Sequence, residues 1–383
     1  MTSPRWSSRP ATSPGRVRRG VVAAAVGALV AVPLAGCDLR WETPPPTVPV
    51  ADEAESVRQR TTADALSLGV LAERAAAVAA DPVVAAVATE VDLAADAHLE
   101  ALGGIYVPFP SSTAEVPGAT AAPTGSATDS PAPTDPGATS PATETASPTP
   151  PAADPVQAAT ELVALLTETA ASARADAGAV ADGRLARLLA AVAANRLLLA
   201  ESLAAAAGLP APAGAPTAGT DVTEGGTAPG VFVVPESVPT GVSEADVATL
   251  VQSEDAVGLA YEVVAARSAD EARARSAARA AEHRDHAQAW AEAAGIAGTG
   301  LDPRRTSYAL APVITDPAGD PAAVTAELAR LEGDLAVTYA SLVPQAEPGS
   351  RTPLVDALVA TTREHARLSG VTPLFPGLPE QTA

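Results

Sequence analysis

Five ionisable side chains in the last third of the sequence are the residues best suited to chemistry: Glu254, His283, His286, Glu332 and His365. Carboxylate oxygens and imidazole nitrogens are common ligands of divalent metals. Each residue lies on or beside an apolar stripe with helical spacing, so four packed helices would point them towards a common axis. We therefore predict an inward-facing Glu/His cluster that could hold a single Fe, Mn or Zn ion.

The spacing departs from that of a two-metal centre. Di-iron and di-manganese carboxylate bundles use two lone glutamates and two Glu-x-x-His pairs. Here Ala280 precedes His283 by three residues and Thr362 precedes His365 by three, so neither pair is present. Three interpretations remain open: a single-ion site, a metal-free set of hydrogen-bonded Glu and His pairs, and side chains that face solvent. The sequence assigns no catalytic residue.

The positions of capping residues and prolines predict an all-α protein with eight helices. Aspartate followed by proline marks a helix start at Asp81, Asp154 and Asp320, and Thr352-Pro353 repeats the pattern. Ser243 with Asp246 and Ser268 with Glu271 resemble capping boxes. The predicted helices cover about 52–80, 82–103, 155–178, 183–207, 244–267, 269–294, 321–345 and 353–369.

The eight helices divide into two sets of four with the same order. In each set, two helices joined by a short turn are followed by a long crossover and two more helices. We predict two four-helix bundles in tandem, at 51–208 and 244–370, joined by a Pro/Gly-rich linker at 209–243 and followed by a tail at 371–383. The first crossover carries a Pro/Thr/Ser-rich insert at 108–154, which we expect to be disordered.

The first bundle is predicted to be a degenerate copy of the second. Asp64 and His98 lie on its apolar stripes, but Asn195 and Arg196 stand where the second bundle has Glu364 and His365. A lone histidine on an apolar face is more often a core residue than a ligand. This bundle is therefore expected to be structural or to bind a partner.

The second bundle resembles the ferritin-like domain of unknown function found in actinobacterial lipoproteins. The similarity rests on Glu254 with Tyr261 seven residues later, Ala281-Glu282-His283-Arg284, Tyr308-Ala309-Leu310, Thr315-Asp316-Pro317, and Leu331-Glu332 with Tyr339. It implies a ferritin-like bundle and informs the fold more than the activity. Asp255 departs from the pattern, in which a histidine often follows the first glutamate.

The N-terminus predicts export and lipid attachment. Five arginines, an apolar stretch at 21–32 and Leu34-Ala35-Gly36 precede Cys37, the single cysteine. This arrangement resembles a bacterial lipobox, so we predict a signal peptide at 1–36, lipidation of Cys37 and a Pro-rich tether at 37–50. A transmembrane anchor is the alternative, but the apolar stretch is shorter than the roughly 20 residues that span a bilayer.

Charge narrows the functional classes. The chain has 24 basic and 45 acidic residues and a net charge of −21, which disfavours binding to nucleic acid. It has no Gly-x-Ser-x-Gly motif and no Gly-rich phosphate loop after a strand.

We expect a largely non-catalytic protein on the extracytoplasmic face of the plasma membrane, with an envelope protein or a second copy as partner. The alternative is a metal-dependent redox or storage protein.

Overall fold

The computed structural model describes residues 51–105, 154–212, 235–316 and 320–381. The signal peptide, Cys37, the tether, nearly all of the insert and the middle of the 209–243 linker lie outside these ranges. The described residues form α-helices and one short 3-10 turn, without strands, which confirms the all-α prediction. The helices are α1 (Glu53–Val78), α2 (Pro82–Ala101), α3 (Pro155–Ala179), α4 (Gly183–Ala206), α5 (Glu244–Arg267), α6 (Asp270–Ala293), α7 (Pro312–Thr315), α8 (Pro321–Leu342) and α9 (Thr352–Ser369).

Side-chain caps fix most of the predicted helix starts. The carboxylates of Asp81, Asp154 and Asp320 accept hydrogen bonds from backbone N–H groups of the first turns of α2, α3 and α8, each of which begins with proline. Ser243 Oγ accepts from Asp246 N at 3.2 Å at the start of α5, as predicted.

Two predicted caps were wrong. Ser268 ends α5, and its hydroxyl donates to the carbonyl of Val264, so α6 begins after Ala269 without a side-chain cap. Helix α9 begins at Thr352, which leaves Arg351 at the cap position. The Arg351 side chain points the other way and donates to the Val180 carbonyl at 2.6 Å. It therefore joins α9 to the end of α3.

The helices pack in two sets. In the N-terminal set, α1 pairs with α2, α3 pairs with α4, and the pairs contact each other through α1 with α3 and α2 with α4. In the C-terminal set, α5 pairs with α6, α8 pairs with α9, and α5 packs on α8, with the short α7 touching both. Helices α3 and α4 also contact α9, and the described residues belong to one compact unit.

The largest apolar core contains residues from both sets, including Leu189 on α4, Val251 on α5, Leu335 on α8 and Leu358 on α9. Helix α4 is long and apolar enough to cross a membrane, but most of it is buried against its neighbours. Apolar burial of this kind is the main stabilising contribution to a helical fold.

Residues 371–381, here called the C-terminal segment, run back over the N-terminal set. Phe375 and Leu378 are buried in the shared core. Asn195 Nδ2 donates to the carbonyl of Pro373 at 2.8 Å, and Arg187 donates to the carbonyl of Gly377 at 3.0 Å. The segment therefore links α8 and α9 to α4.

Candidate functional site

Three helices bring Glu254, His283 and Glu332 together inside the C-terminal set. Each lies in the middle of its helix, on α5, α6 and α8 respectively, and none of the three side chains has solvent exposure. The helical period places each on the face that also carries the apolar core residues. The structure thus joins three of the five predicted residues by hydrogen bonds, and a fourth, His286, lies beside Glu254.

His283 bridges the two glutamates. Its Nδ1 lies 2.6 Å from Glu254 Oε2, and its Nε2 lies 3.0 Å from Glu332 Oε1. An ionised carboxylate can only accept hydrogen bonds, so both ring nitrogens must carry a proton. The imidazole of His283 is therefore an imidazolium in this arrangement.

The pKa values agree with that protonation state. Burial alone would raise the pKa of Glu332, but the charges of Arg279 and His283 and their hydrogen bonds hold it at about 2. Burial also opposes ionisation of Glu254, and His283 and His286 outweigh it, so its pKa is lowered. For His283, burial and Arg279 act to lower the pKa, but the two carboxylates raise it overall.

Arg279 supplies the second positive charge. Its Nε donates to Glu332 Oε1 at 2.8 Å and its Nη2 to Glu332 Oε2 at 2.7 Å, which is a bidentate pair. The side chain is 11% exposed and also pairs with the exposed Glu282. The imidazolium and the guanidinium therefore balance the charges of Glu254 and Glu332.

Two tyrosines and a tryptophan complete the hydrogen bonds of this buried network. Tyr261 donates to Glu332 Oε1 at 2.9 Å, Tyr339 donates to Glu254 Oε1, and Trp290 Nε1 donates to the Tyr339 hydroxyl at 3.2 Å. Burial and the adjacent carboxylates raise the pKa of both tyrosines, which keeps them neutral donors. Every carboxylate oxygen in the network thus has a donor, which removes the cost of burying it unpaired.

A possible metal-ligand group overlaps one side of this network. One potential ligand atom from each of Glu254, His283 and His286 lies within 4.8 Å of the others. His286 is 13% exposed, and its Nδ1 is 3.5 Å from Glu254 Oε1. Metal ligands must be deprotonated, so His283 would have to lose a proton to bind an ion. The donor set fits one ion chemically, at the expense of at least one existing hydrogen bond.

The two predicted residues outside this possible ligand group, Glu332 and His365, are placed differently. Glu332 lies across the His283 ring from this triad and pairs with Arg279. His365 does not join the cluster: it is half-buried beside Gly333 on α8, and its Nδ1 lies 2.8 Å from the carbonyl oxygen of Ala329. Its neighbour Glu364 instead approaches the network, at 3.4 Å from the Tyr261 hydroxyl.

Sequence reasoning missed Arg279, and it named Tyr261 and Tyr339 for the family resemblance without placing them in the cluster. Arg279 lies four residues before His283 and therefore on the same face of α6, a spacing that could have identified it.

Asp255 has a separate contact outside the cluster. Its carboxylate accepts from the Tyr308 hydroxyl at 2.7 Å and from Arg305 N at 3.1 Å, which fixes the crossover against α5.

The N-terminal set contains a different polar core. Arg196 is 1% exposed, lies 3.6 Å from Asp64, and donates to the carbonyl of Thr61 at 3.2 Å. His98 is buried, with Nε2 3.2 Å from the carbonyl oxygen of Leu374 and its ring edge-on to Phe375. Asp64 and His98 are therefore held by separate partners and do not form a common site.

Comparison with known proteins identifies the C-terminal third. Residues 246–380 match a family described as Domain of unknown function (DUF4439). The chain therefore contains a DUF4439 domain, which begins in the first turn of α5 and includes nearly all of the C-terminal segment. No curated protein and no solved structure matches the chain.

Proposed function

We propose that this protein is a surface-anchored lipoprotein with a non-catalytic helical fold, which serves an interaction or structural role in the cell envelope. In this proposal it is held at the extracytoplasmic face of the plasma membrane by acyl chains on Cys37. The helices would form two ferritin-like bundles in tandem, the first a degenerate copy. Support for the bundles comes from the repeated order of helix pairs in the two sets.

The observation that carries the non-catalytic role is the charge balance of the buried network. A metal centre needs carboxylates and imidazoles with free lone pairs. Here His283 is protonated on both nitrogens, and Arg279 occupies Glu332 with two hydrogen bonds. The network has the composition of a metal-free core that is stabilised by its own ion pairs.

Lipid attachment is tested by Cys37→Ala. We expect the variant to leave the membrane fraction or to remain unprocessed, because the thioether-linked lipid is the proposed anchor. Fractionation followed by intact mass measurement checks both outcomes. A processed variant that still sediments with membranes would overturn the lipoprotein proposal.

A second candidate function is metal binding by the C-terminal set, which the Glu254, His283 and His286 group favours. An ion there would be Fe, Mn or Zn: Fe or Mn would support redox chemistry, and any of the three could be stored. Substitution of His286 distinguishes the two proposed functions, because His286 belongs to the possible metal-ligand group but does not bridge the two glutamates. His365 is a matched control, since it is a partly buried histidine outside the cluster.

Thermal melts of Glu332→Gln, His286→Ala and His365→Ala, each with and without chelator, distinguish the two functions. For the metal-free network we expect Glu332→Gln to cost about 3 kcal/mol, because the buried charges of Arg279 and His283 lose the carboxylate that they share, and chelator to have no effect. For a metal site, His286→Ala abolishes stoichiometric binding and chelator lowers the melting temperature of the unmodified protein. A chelator response with retained metal stoichiometry in His365→Ala would reject the metal-free proposal.

A further inference from the structure

A cleft of 440 Å³ opens at one end of the C-terminal set, where α5 and α9 end and α6 and α8 begin. Its size falls within the roughly 300–1,000 Å³ typical of small-molecule sites. Three arginines line it, Arg267, Arg275 and Arg367, on a chain whose net charge is −21. The cleft is thus a local cationic feature of an acidic protein.

The floor of this cationic cleft is apolar. Val264 and Leu368 line it together with Leu328, which is 4% exposed and belongs to a buried apolar cluster. Tyr261 also lines the floor and donates its hydroxyl proton to the buried Glu332. A ligand here would therefore contact an aliphatic surface below and guanidinium groups at the rim.

The positive charge available to a ligand in the cleft depends on which arginines are already paired with carboxylates. Arg367 is paired with Glu364 at 2.5 Å, and Arg275 is paired with Glu271. Arg267 donates only to the carbonyl of Ile314, and no carboxylate among the described residues forms an ion pair with it. Two helix starts and two helix ends meet at the cleft, so their dipoles largely offset each other. One uncompensated positive charge remains, on Arg267.

We propose that the cationic cleft binds a small amphiphilic monocarboxylate. The guanidinium of Arg267 would hold the carboxylate, because the planar N–H groups of a guanidinium can pair with both carboxylate oxygens. The aliphatic part of the ligand would lie on Val264, Leu328 and Leu368. The one unpaired guanidinium among the described residues of the cleft, that of Arg267, matches a ligand with one negative charge. A second negative charge on the ligand would be repelled by Glu364 at the rim. This site is independent of the metal and anchoring proposals.

Isothermal titration calorimetry of the full chain tests this site with sodium octanoate, and with sodium acetate and 1-octanol as controls. We expect octanoate to bind with one-to-one stoichiometry and at least about tenfold more tightly than either control, because only octanoate has both the charge and the chain. Equal binding of octanol, equal binding of acetate, or no octanoate binding would overturn the proposal.

Variants locate the site. Arg267→Gln should weaken octanoate binding by about tenfold or more, whereas Arg74→Gln, a change at an exposed arginine on α1, should leave it unchanged. Arg267 also holds α7 through the carbonyl of Ile314, so Ser276→Asp provides a second variant that instead adds a negative charge to the cleft wall. Retained affinity in folded Ser276→Asp, checked by circular dichroism, would contradict the assignment.

Discussion

Two buried histidines differ in protonation state because their partners differ. His283 faces two carboxylates and is doubly protonated. His98 faces the carbonyl oxygen of Leu374, which needs only one N–H donor. Burial and the nearby charge of Arg196 lower the pKa of His98 to about 3, so this side chain is neutral in the folded protein.

His98 should make the protein lose stability in mild acid. Its pKa is near 6.5 in the unfolded chain and lower in the fold, so its stabilising contribution is complete above about pH 6.5 and falls as the pH decreases towards 3. The expected slope is about 1.4 kcal/mol per pH unit relative to His98→Gln, which keeps an N–H donor. Urea unfolding of both proteins between neutral and acidic pH measures it. Identical pH profiles would contradict the neutral assignment.

The sequence predicted the convergence of Glu254, His283 and Glu332 because each lies on or beside the apolar stripe of its helix. It could not place His365, since α9 is buried on several sides. Leu354, Val355, Leu358 and Val359 are all buried, because α9 packs on α8 and also on the N-terminal set. When a helix is buried on several sides, its sequence does not show which side chains face which neighbouring helix.

At the level of elements, the C-terminal segment approaches α8 closely. Gly377 has a φ of +74°, and a Cβ there would lie 2.5 Å from the Cβ of Ala340 and 2.7 Å from the carbonyl oxygen of Ala336. Gly370 ends α9 with a similar φ of +72° but has open space around it. The two glycines thus share a backbone requirement and differ in packing.

Gly377→Ala and Gly370→Ala separate these two effects. Gly370→Ala should cost about 1 to 2 kcal/mol, from the left-handed backbone alone. Gly377→Ala should cost clearly more, because the segment must also move away from α8 and disturb Phe375. Chemical denaturation of both variants measures the difference. Equal costs would mean that the segment is not held against α8.

Element boundaries were predictable where a side chain marks them. Asp-Pro pairs identified three helix starts, and all eight predicted helices are present. The four-residue α7 was missed because it is too short to show a helical period. The Ser268 cap was wrong because the serine hydroxyl donates within α5, an alternative that the sequence does not distinguish.

At the level of the whole molecule, ion pairs fasten the two helix sets to each other. Arg174 on α3 donates to both oxygens of Asp356 on α9, at 2.5 and 2.6 Å, and Asp356 is 1% exposed. Arg363 on α9 forms a similar pair with Glu201 on α4. The sequence suggested separate bundles joined by a linker. It did not indicate these ion pairs, because their partners are 182 and 162 residues apart and such distant residues form no recognisable local motif.

Calorimetry should therefore record one unfolding transition for α1 to α9. Because the two sets share a core and partly buried ion pairs, unfolding of one set removes contacts that stabilise the other. Asp356→Ala should lower the free energy of unfolding by about 3 kcal/mol, since it strands the partly buried Arg174. Arg330→Gln, which breaks the surface pairs of Arg330 with Glu327 and Asp334 within α8, should change it by less than about 0.5 kcal/mol. Two separate transitions in the unmodified protein would contradict the single-unit fold.

The C-terminal segment also constrains the order of events during synthesis. His98 and Leu374 are 276 residues apart in the sequence, and Asn195 and Pro373 are 178 apart. The first helices leave the ribosome long before their hydrogen-bond acceptors and before Phe375, which fills their shared core. Helices α1 to α4 therefore remain incompletely packed until residues 371–378 have been synthesised, so the apolar surface that these residues cover stays exposed for most of synthesis.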